Sequence, residues 1–277
     1  AFKCSDLYGY VIKRVLQLLC PTGTHGFIVM HNLAFSRNFV EVRNLLNNFY
    51  GSAWYSFYSR IPSGLFSGDV RVRNCIYLLS STGNEKYTSC LHRWFSEQRV
   101  SLFATTIKYN YFVYSGVIPM LDSEIIQSIY ENKRGNNIAT LEDSLNGNSL
   151  YYKKVGYNFL SISNIKPNAF DLEGNPTPQT KLGTLKFLPQ YNKYIQLLCC
   201  GKLYISKWLT YGDDFDVTGK DITSFTFPFD EISNKDKETL DSLYEEFCRK
   251  LPSTIQYKLN AGIKVGTFNT AMLWDIT

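Results

Sequence analysis

The segment at residues 59–79 constrains the fold of this chain more than any other part of the sequence. It contains a turn-forming run, Pro-Ser-Gly-Leu-Phe-Ser-Gly, in which Phe66 is the one bulky aromatic side chain between glycines. The run leads into a strand predicted over residues 70–80, which is continuously apolar from Cys75 to Leu79. A short, continuous apolar run is typical of a strand buried inside a sheet. The segment therefore predicts an interior strand with an aromatic loop at one end.

Helical and strand patterns alternate around this segment. Apolar residues recur at helical spacing over residues 6–20, where Ser5 or Asp6 can cap the helix, and over residues 36–48. Short apolar or aromatic runs predict strands at the following positions: 27–30, 53–58 and 87–95. The order helix, strand, helix, strand, strand is typical of an α/β sheet.

The pattern changes near residue 115, where we place a domain boundary. Helices are predicted at 122–133 and 234–250, and residues 191–208 are mostly helical. Short β segments, separated by Asn, Gly and Pro, are predicted around residues 150–163 and 184–188. The second part of the chain is therefore expected to be a mixed α+β domain.

Phe66 and the nearby arginines have side chains that can bind a nucleobase and its phosphate. An aromatic ring on a loop can stack on a flat base, while guanidinium groups neutralise the charge of the backbone. Arg71 and Arg73 share a strand parity and are predicted to point to one face, and Arg60 lies just before the turn. The alternative is that Phe66 folds back onto the core and that the arginines are a solvated strand end.

A second stretch mixes cations with aromatic residues at Tyr151, Tyr152, Lys153, Lys154 and Tyr157. These side chains could contact sugar and phosphate groups, or a guanine edge. The alternative is an edge strand whose charges prevent aggregation. The net charge of +5 permits a nucleic-acid-binding face but does not require one.

Cysteines and histidines do not predict a metal site or a disulfide framework. None of the seven cysteines is in a CxxC pair, and the three histidines have no ligand spacing. Four cysteines in apolar runs are expected to be small core residues: Cys20, Cys75, Cys199 and Cys200. The apolar runs fall short of the ~18 residues that a membrane span needs. A reducing cytoplasm is the expected compartment.

Several segments resemble motifs of the N6-adenine DNA methyltransferases of restriction-modification systems, in that family's order. Asp6-Leu7-Tyr8 resembles motif V, residues 26–32 resemble the motif VI strand, and Phe66 with the following strand resembles motif VIII. Residues 208–225 are similar to the closing piece of the target-recognition region in large single-chain type II enzymes. The family's Gly-rich cofactor loop and its Asn/Asp-Pro-Pro-Tyr/Phe tetrapeptide are absent from the sequence.

The resemblance implies the second half of a Rossmann-like, S-adenosylmethionine-dependent methyltransferase sheet, followed by a mixed α+β target-recognition domain. Residues 1–115 would be the C-terminal half of the catalytic domain, and residues 116–277 the domain that binds DNA. The parent enzyme would use S-adenosylmethionine, whereas this chain alone is expected to bind no cofactor. Its partners would be double-stranded DNA and the missing N-terminal catalytic part of the parent protein.

The resemblance also implies roles for individual residues. Phe66 would stack on an adenine turned out of the duplex. The predicted DNA contacts are Arg60, Arg71, Arg73, Lys153 and Lys154, and no catalytic residue is expected in this chain. Two alternatives remain open: a stand-alone DNA-recognition module or specificity subunit, and a cytoplasmic α/β protein with no DNA role.

Overall fold

The chain forms two compact units. The computed structural model describes residues 2–49, 51–66, 72–131 and 134–277. The first unit comprises Ala1–Asn132 and Leu209–Gly212, and the second comprises Lys133–Trp208 and Asp213–Thr277. This division falls beyond the boundary predicted near residue 115. The assignment of the two parts as a catalytic half and a target-recognition domain stays a prediction.

The first unit contains a five-stranded mixed sheet with helices packed against it. Its strands are β1 (His25–Met30), β2 (Ser52–Tyr58), β3 (Asn74–Ser80), β4 (Lys86–His92) and β5 (Asn110–Tyr111). Its helices include α1 (Leu7–Leu18), α2 (Val40–Phe49) and α3 (Glu124–Glu131). The strand order is β1-β3-β2-β4-β5, in which β2 and β4 are parallel and the other neighbours are antiparallel.

The helices and strands predicted before residue 95 are confirmed, with small shifts at their ends. Asp6 occupies the N-cap position of α1, but its side chain makes no capping hydrogen bond. The strand predicted from residue 70 begins at Asn74 instead. The fold is therefore mixed α/β, with parallel and antiparallel strands in one sheet, and its identity as half of a methyltransferase sheet stays a prediction.

The core of the first unit lies between one face of the sheet and helices α1 and α2. The helices contribute Ile12, Leu16, Val42 and Leu46, and the sheet contributes Val29, Tyr55, Phe57, Cys75, Tyr77 and Leu79. Each such side chain contributes ~1.5–3 kcal/mol when it is fully buried. Cys75 is thus a core residue, as predicted, and so are Cys199 and Cys200 in the second unit. The prediction for Cys20 was wrong, because this residue lies just beyond the end of α1 and is exposed.

The second unit contains small antiparallel sheets and several helices. Its strands are β6 (Asn136–Asn137), β7 (Asn148–Lys153), β8 (Ile162–Ser163), β9 (Ala169–Phe170), β10 (Leu182–Phe187), β11 (Thr226–Phe227), β12 (Ile255–Asn260) and β13 (Ile263–Phe268). Its helices are α4 (Pro189–Cys200), α5 (Lys202–Tyr211, whose last residues belong to the first unit), α6 (Gly219–Thr223) and α7 (Asn234–Lys250). The sheet orders are β10-β7-β8, β11-β6 and β12-β13-β9.

Helix α7 has the bounds that the sequence predicts, because its determinants are local. The Ser233 hydroxyl accepts a hydrogen bond from the Asp236 N–H at 3.1 Å and so caps the first turn. Arg249 and Lys250 lie in the last turn, where positive charge complements the helix dipole. Phe247 is fully buried and anchors the apolar face. The predicted helical segment at residues 191–208 is confirmed as two helices.

The β12–β13 hairpin closes through a two-residue turn that requires left-handed backbone at both positions. Ala261 has φ 49° and Gly262 has φ 82°, and the flanking pair is Asn260 with Ile263. A turn of this kind matches the twist of the strands and favours Asn-Gly. Glycine adopts this conformation freely, whereas alanine does so only at a cost, because its Cβ approaches the following carbonyl.

Substituting Ala261→Asn is expected to raise the free energy of unfolding by roughly 1 kcal/mol, because asparagine tolerates the left-handed region. Equilibrium urea unfolding would measure the change. Ala261→Val is the matched control and should lower the stability, since a β-branched residue is poorly tolerated at positive φ. An asparagine variant that unfolds at a lower urea concentration than the parent chain would contradict the assignment of this turn.

Candidate nucleic-acid interface

Phe66 lies in the loop that follows strand β2. The loop contains a cis peptide bond between Ile61 and Pro62. The Ser63 N–H then donates to the Trp94 carbonyl at 3.2 Å, which ties the loop to the segment after β4. The Phe66 side chain is 45% exposed, so it does not fold back into the core. Residues 67–71 lie outside the described part of the chain.

Arg99 fixes the backbone of the Phe66 loop. Its guanidinium group donates to the carbonyl oxygens of Gly64 at 3.2 Å and Leu65 at 3.0 Å. It also lies over the Trp94 ring, 5.1 Å from the ring centroid, where a cation–π contact is favourable. Leu65 packs against the cluster that contains buried Trp94. The loop is therefore anchored through Leu65 and its backbone, while the next side chain, Phe66, remains accessible.

The predicted arginines have different surroundings. Arg60 is partly exposed and follows Ser59 at the start of the loop. Arg73 lies immediately before β3; its carbonyl accepts a hydrogen bond from the His31 N–H at 3.1 Å, and its Nε is shielded from solvent. Arg71 falls outside the described residues, so its predicted orientation on the same face as Arg73 stays a prediction.

The two predicted lysines separate at the end of β7. Lys153 Nζ donates to Thr267 Oγ1 at 2.7 Å, and its side chain lines a cleft of about 580 Å³. Lys154 is exposed, and its backbone N–H donates to the Lys181 carbonyl at 2.9 Å. Strand β7 ends at Lys153, so Lys154 lies just beyond the strand and is not among the residues that line the cleft.

The cleft is basic. Lys153 is joined there by Lys181, just before β10, and by Lys258, in the middle of β12. The remaining polar and aromatic lining is Gln179, Thr180, Asn260 and Phe215. No Asp or Glu is among the cleft-lining residues in the described part of the chain. The pKa of Lys153 is lowered, first by burial and then by the charge of Lys258.

Sequence reasoning missed Lys181, Lys258 and Gln179. A signal for Lys258 was present, since residues 255–260 and 263–268 alternate on either side of a turn that ends in glycine, a pattern typical of a hairpin. Nothing local marks Lys181 or Gln179, because they reach the cleft only through the pairing of β10 with β7 and the packing against β13.

Metal and membrane sites are not found in the residues that the structure describes. Across these residues, no group of three or more His, Cys, Asp and Glu side chains could hold a metal ion. The helices of the same residues are all too short or too polar to cross a membrane.

Of the comparisons with known proteins, only the comparison with solved structures found similar chains. No protein-family model matches this chain, and no curated protein matches it. Among solved structures, a chain of the cryo-EM structure of the DrdV–DNA complex is similar, with 15% sequence identity and a TM-score of 0.34. The match covers 42% of this chain and 13% of that chain.

Proposed function

We propose that this chain is part of a site-specific N6-adenine DNA methyltransferase, in which it contributes DNA recognition and a stacking surface for the target base. The observation that carries the proposal is the anchored loop that leaves Phe66 45% exposed. The order of sequence motifs supports it, since the elements that resemble motifs V, VI and VIII correspond to α1, β1 and the segment from Phe66 to β3.

Phe66 would act by holding the target base after it leaves the duplex. Extruding a base costs a few kcal/mol of stacking and pairing. Stacking on an aromatic ring returns ~1–3 kcal/mol per base. Arg99 and Leu65 hold the backbone that precedes Phe66, which lowers the conformational entropy lost when the base binds. The aromatic ring would also hold the base flat beside the groups that react with it.

The chemistry itself would come from the N-terminal part of the parent protein. The exocyclic N6 amine of adenine is a poor nucleophile, because its lone pair is delocalised into the ring. The family's tetrapeptide accepts hydrogen bonds from that amine, and S-adenosylmethionine supplies the methyl group when bound. The sequence of this chain contains neither the family's Gly-rich cofactor loop nor its tetrapeptide. We therefore propose no cofactor site and no general base in this chain.

A stand-alone DNA-binding module is the second candidate function. The observation that favours it is the lysine-lined cleft of the second unit, which uses only residues of this chain. Such a module would bind DNA without the cofactor. The reading frame that precedes residue 1 distinguishes the two candidates, because the methyltransferase requires a Gly-rich cofactor loop and an Asn/Asp-Pro-Pro-Tyr/Phe tetrapeptide there.

The chain is expected to bind duplex DNA with an affinity that falls as salt rises, since bound phosphates release counterions. Titration of a labelled duplex by fluorescence anisotropy, at salt concentrations of about 50 and 200 mM, would measure the change. An uncharged dye-labelled polymer of similar size is the control for nonspecific signal. Absence of DNA binding at the lower salt concentration would contradict both candidate functions.

A further inference from the structure

The cleft of the second unit has one wall made by the β12–β13 hairpin. In the antiparallel register Lys258 pairs with Val265, and Gln256 pairs with Thr267. Directly paired residues lie on the same face of a sheet, so Lys258, Val265 and Thr267 share one face. Lys153 reaches this face from β7, because its ammonium group donates to the Thr267 hydroxyl at 2.7 Å. Two lysines from separate sheets thus meet on one surface.

The segment at residues 178–181 also lines the cleft, and Gln179 holds it in place. The Gln179 side-chain Nε2 lies within hydrogen-bond distance of the Pro167, Asn168 and Gly266 carbonyls, at 3.0, 3.1 and 3.1 Å. These hydrogen bonds connect the segment to β13 and to the residues before β9. The cleft is therefore formed by the fold before any ligand binds, and Lys181 lies in the same segment.

The charges of the cleft are arranged for an anion. Three lysines line it, and no Asp or Glu is among the lining residues in the described part of the chain. Burial, and then the nearby charge of Lys258, lower the pKa of Lys153, because each disfavours its charged form. A bound phosphate would relieve this repulsion and would accept hydrogen bonds from the lysines.

The exposed β12–β13 hairpin indicates that the ligand of the cleft is a polymer rather than a small anion. From Gln256 to Asn260 every residue of β12 is exposed. Gln256, Lys258 and Asn260 lie on the face of the hairpin that carries Val265 and Thr267. The major groove of B-DNA admits a two-stranded β ribbon of this kind. A backbone phosphate in the cleft would place the ribbon beside the groove of the same duplex.

We propose that this cleft binds the phosphodiester backbone of duplex DNA through Lys153, Lys181 and Lys258. The inference rests on the proposed function and deepens it, because it names a binding surface that includes two lysines without a sequence signature. Each lysine that neutralises a phosphate contributes to affinity and to its salt dependence, whatever the DNA sequence.

The test compares charge-matched triple variants of the full chain. Lys153→Gln, Lys181→Gln and Lys258→Gln together are expected to weaken binding to a labelled duplex at least tenfold at low salt. The slope of log K against log salt should fall by roughly 0.9 for each phosphate that the variant no longer neutralises. A control with Lys220, Lys235 and Arg249 changed to Gln removes the same amount of charge elsewhere and should bind nearly as the parent chain. Replacing the three cleft lysines by arginine should retain binding.

The outcomes separate this inference from the proposed function. If the parent chain binds DNA and both glutamine variants bind equally well, the cleft is not the DNA-binding surface and only this inference fails. If the parent chain binds no DNA, the proposed function fails. Titration with inorganic phosphate tests whether the cleft binds a small anion instead. Saturable phosphate binding that requires the three lysines, without any effect of these lysines on DNA binding, would assign the cleft to a small anion and overturn the inference.

Discussion

Replacing Arg43 by methionine is expected to lower the free energy of unfolding by roughly 3–5 kcal/mol. Arg43 is only 2% exposed and lies on helix α2. Its Nε donates to the Gly116 carbonyl at 2.8 Å, and its Nη1 donates to the carbonyls of Leu33 and Ser36, both at 2.8 Å. Methionine would retain an apolar stem of similar length but would leave three carbonyl oxygens without these donors. An unsatisfied buried group costs ~1–3 kcal/mol, and the bonds to Gly116 and Ser36, which are only partly buried, fall at the low end of that range.

Equilibrium urea unfolding, followed by far-UV circular dichroism, would measure the loss in the Arg43→Met variant. Arg43→Lys should be intermediate, because an ammonium group keeps the charge but lacks the planar fork that reaches several acceptors. Arg14→Met is the matched control. Arg14 is exposed and contacts only Gln17 among the hydrogen bonds described, so its loss should change the stability by less than about 0.5 kcal/mol. An Arg43→Met variant as stable as the control would show that the buried guanidinium is not a structural anchor.

In the proposed methyltransferase, replacing Phe66 by alanine is expected to slow adenine methylation between roughly fivefold and over a hundredfold. The range corresponds to the ~1–3 kcal/mol that one base gains by stacking on an aromatic ring. Single-turnover methylation with the cofactor in excess would measure it. Phe66→Trp should retain much of the activity, because a ring is preserved. Phe95 is also exposed and also in the first unit, so Phe95→Ala is the matched control.

The melting temperature of the same variants distinguishes a stacking role from a structural one. Because Phe66 is 45% exposed, Phe66→Ala should melt close to the parent chain. Leu65→Ala should melt earlier, since Leu65 packs against the cluster that contains Trp94. A strongly lowered melting temperature for Phe66→Ala, with activity per folded molecule preserved, would exclude the stacking role.

Local sequence patterns determined most of the individual elements. The periodicity of apolar residues predicts α1, α2 and α7, and the apolar run after Phe66 predicts β3. These signals are local because a helix or strand is favoured by residues a few positions apart. The same local patterns predict that Phe66 lies in a turn. They do not predict that Leu65 packs into the fold while Phe66 stays exposed, because the packing of Leu65 depends on Trp94 and Arg99, which are distant in the sequence.

The composition of the lysine-lined cleft was decided only by the tertiary structure. The sequence marked Lys153 and Lys154 as a pair, yet Lys153 enters the cleft and Lys154 does not. Lys181 and Lys258 join Lys153 because β10 pairs with β7 and because the β12–β13 hairpin presents Thr267 to the Lys153 ammonium. Strand pairing and register between distant segments are set by the burial and hydrogen bonding of the whole unit. A single sequence encodes each segment's preference for a strand, but the partner of each strand emerges only when the segments compete for the same core.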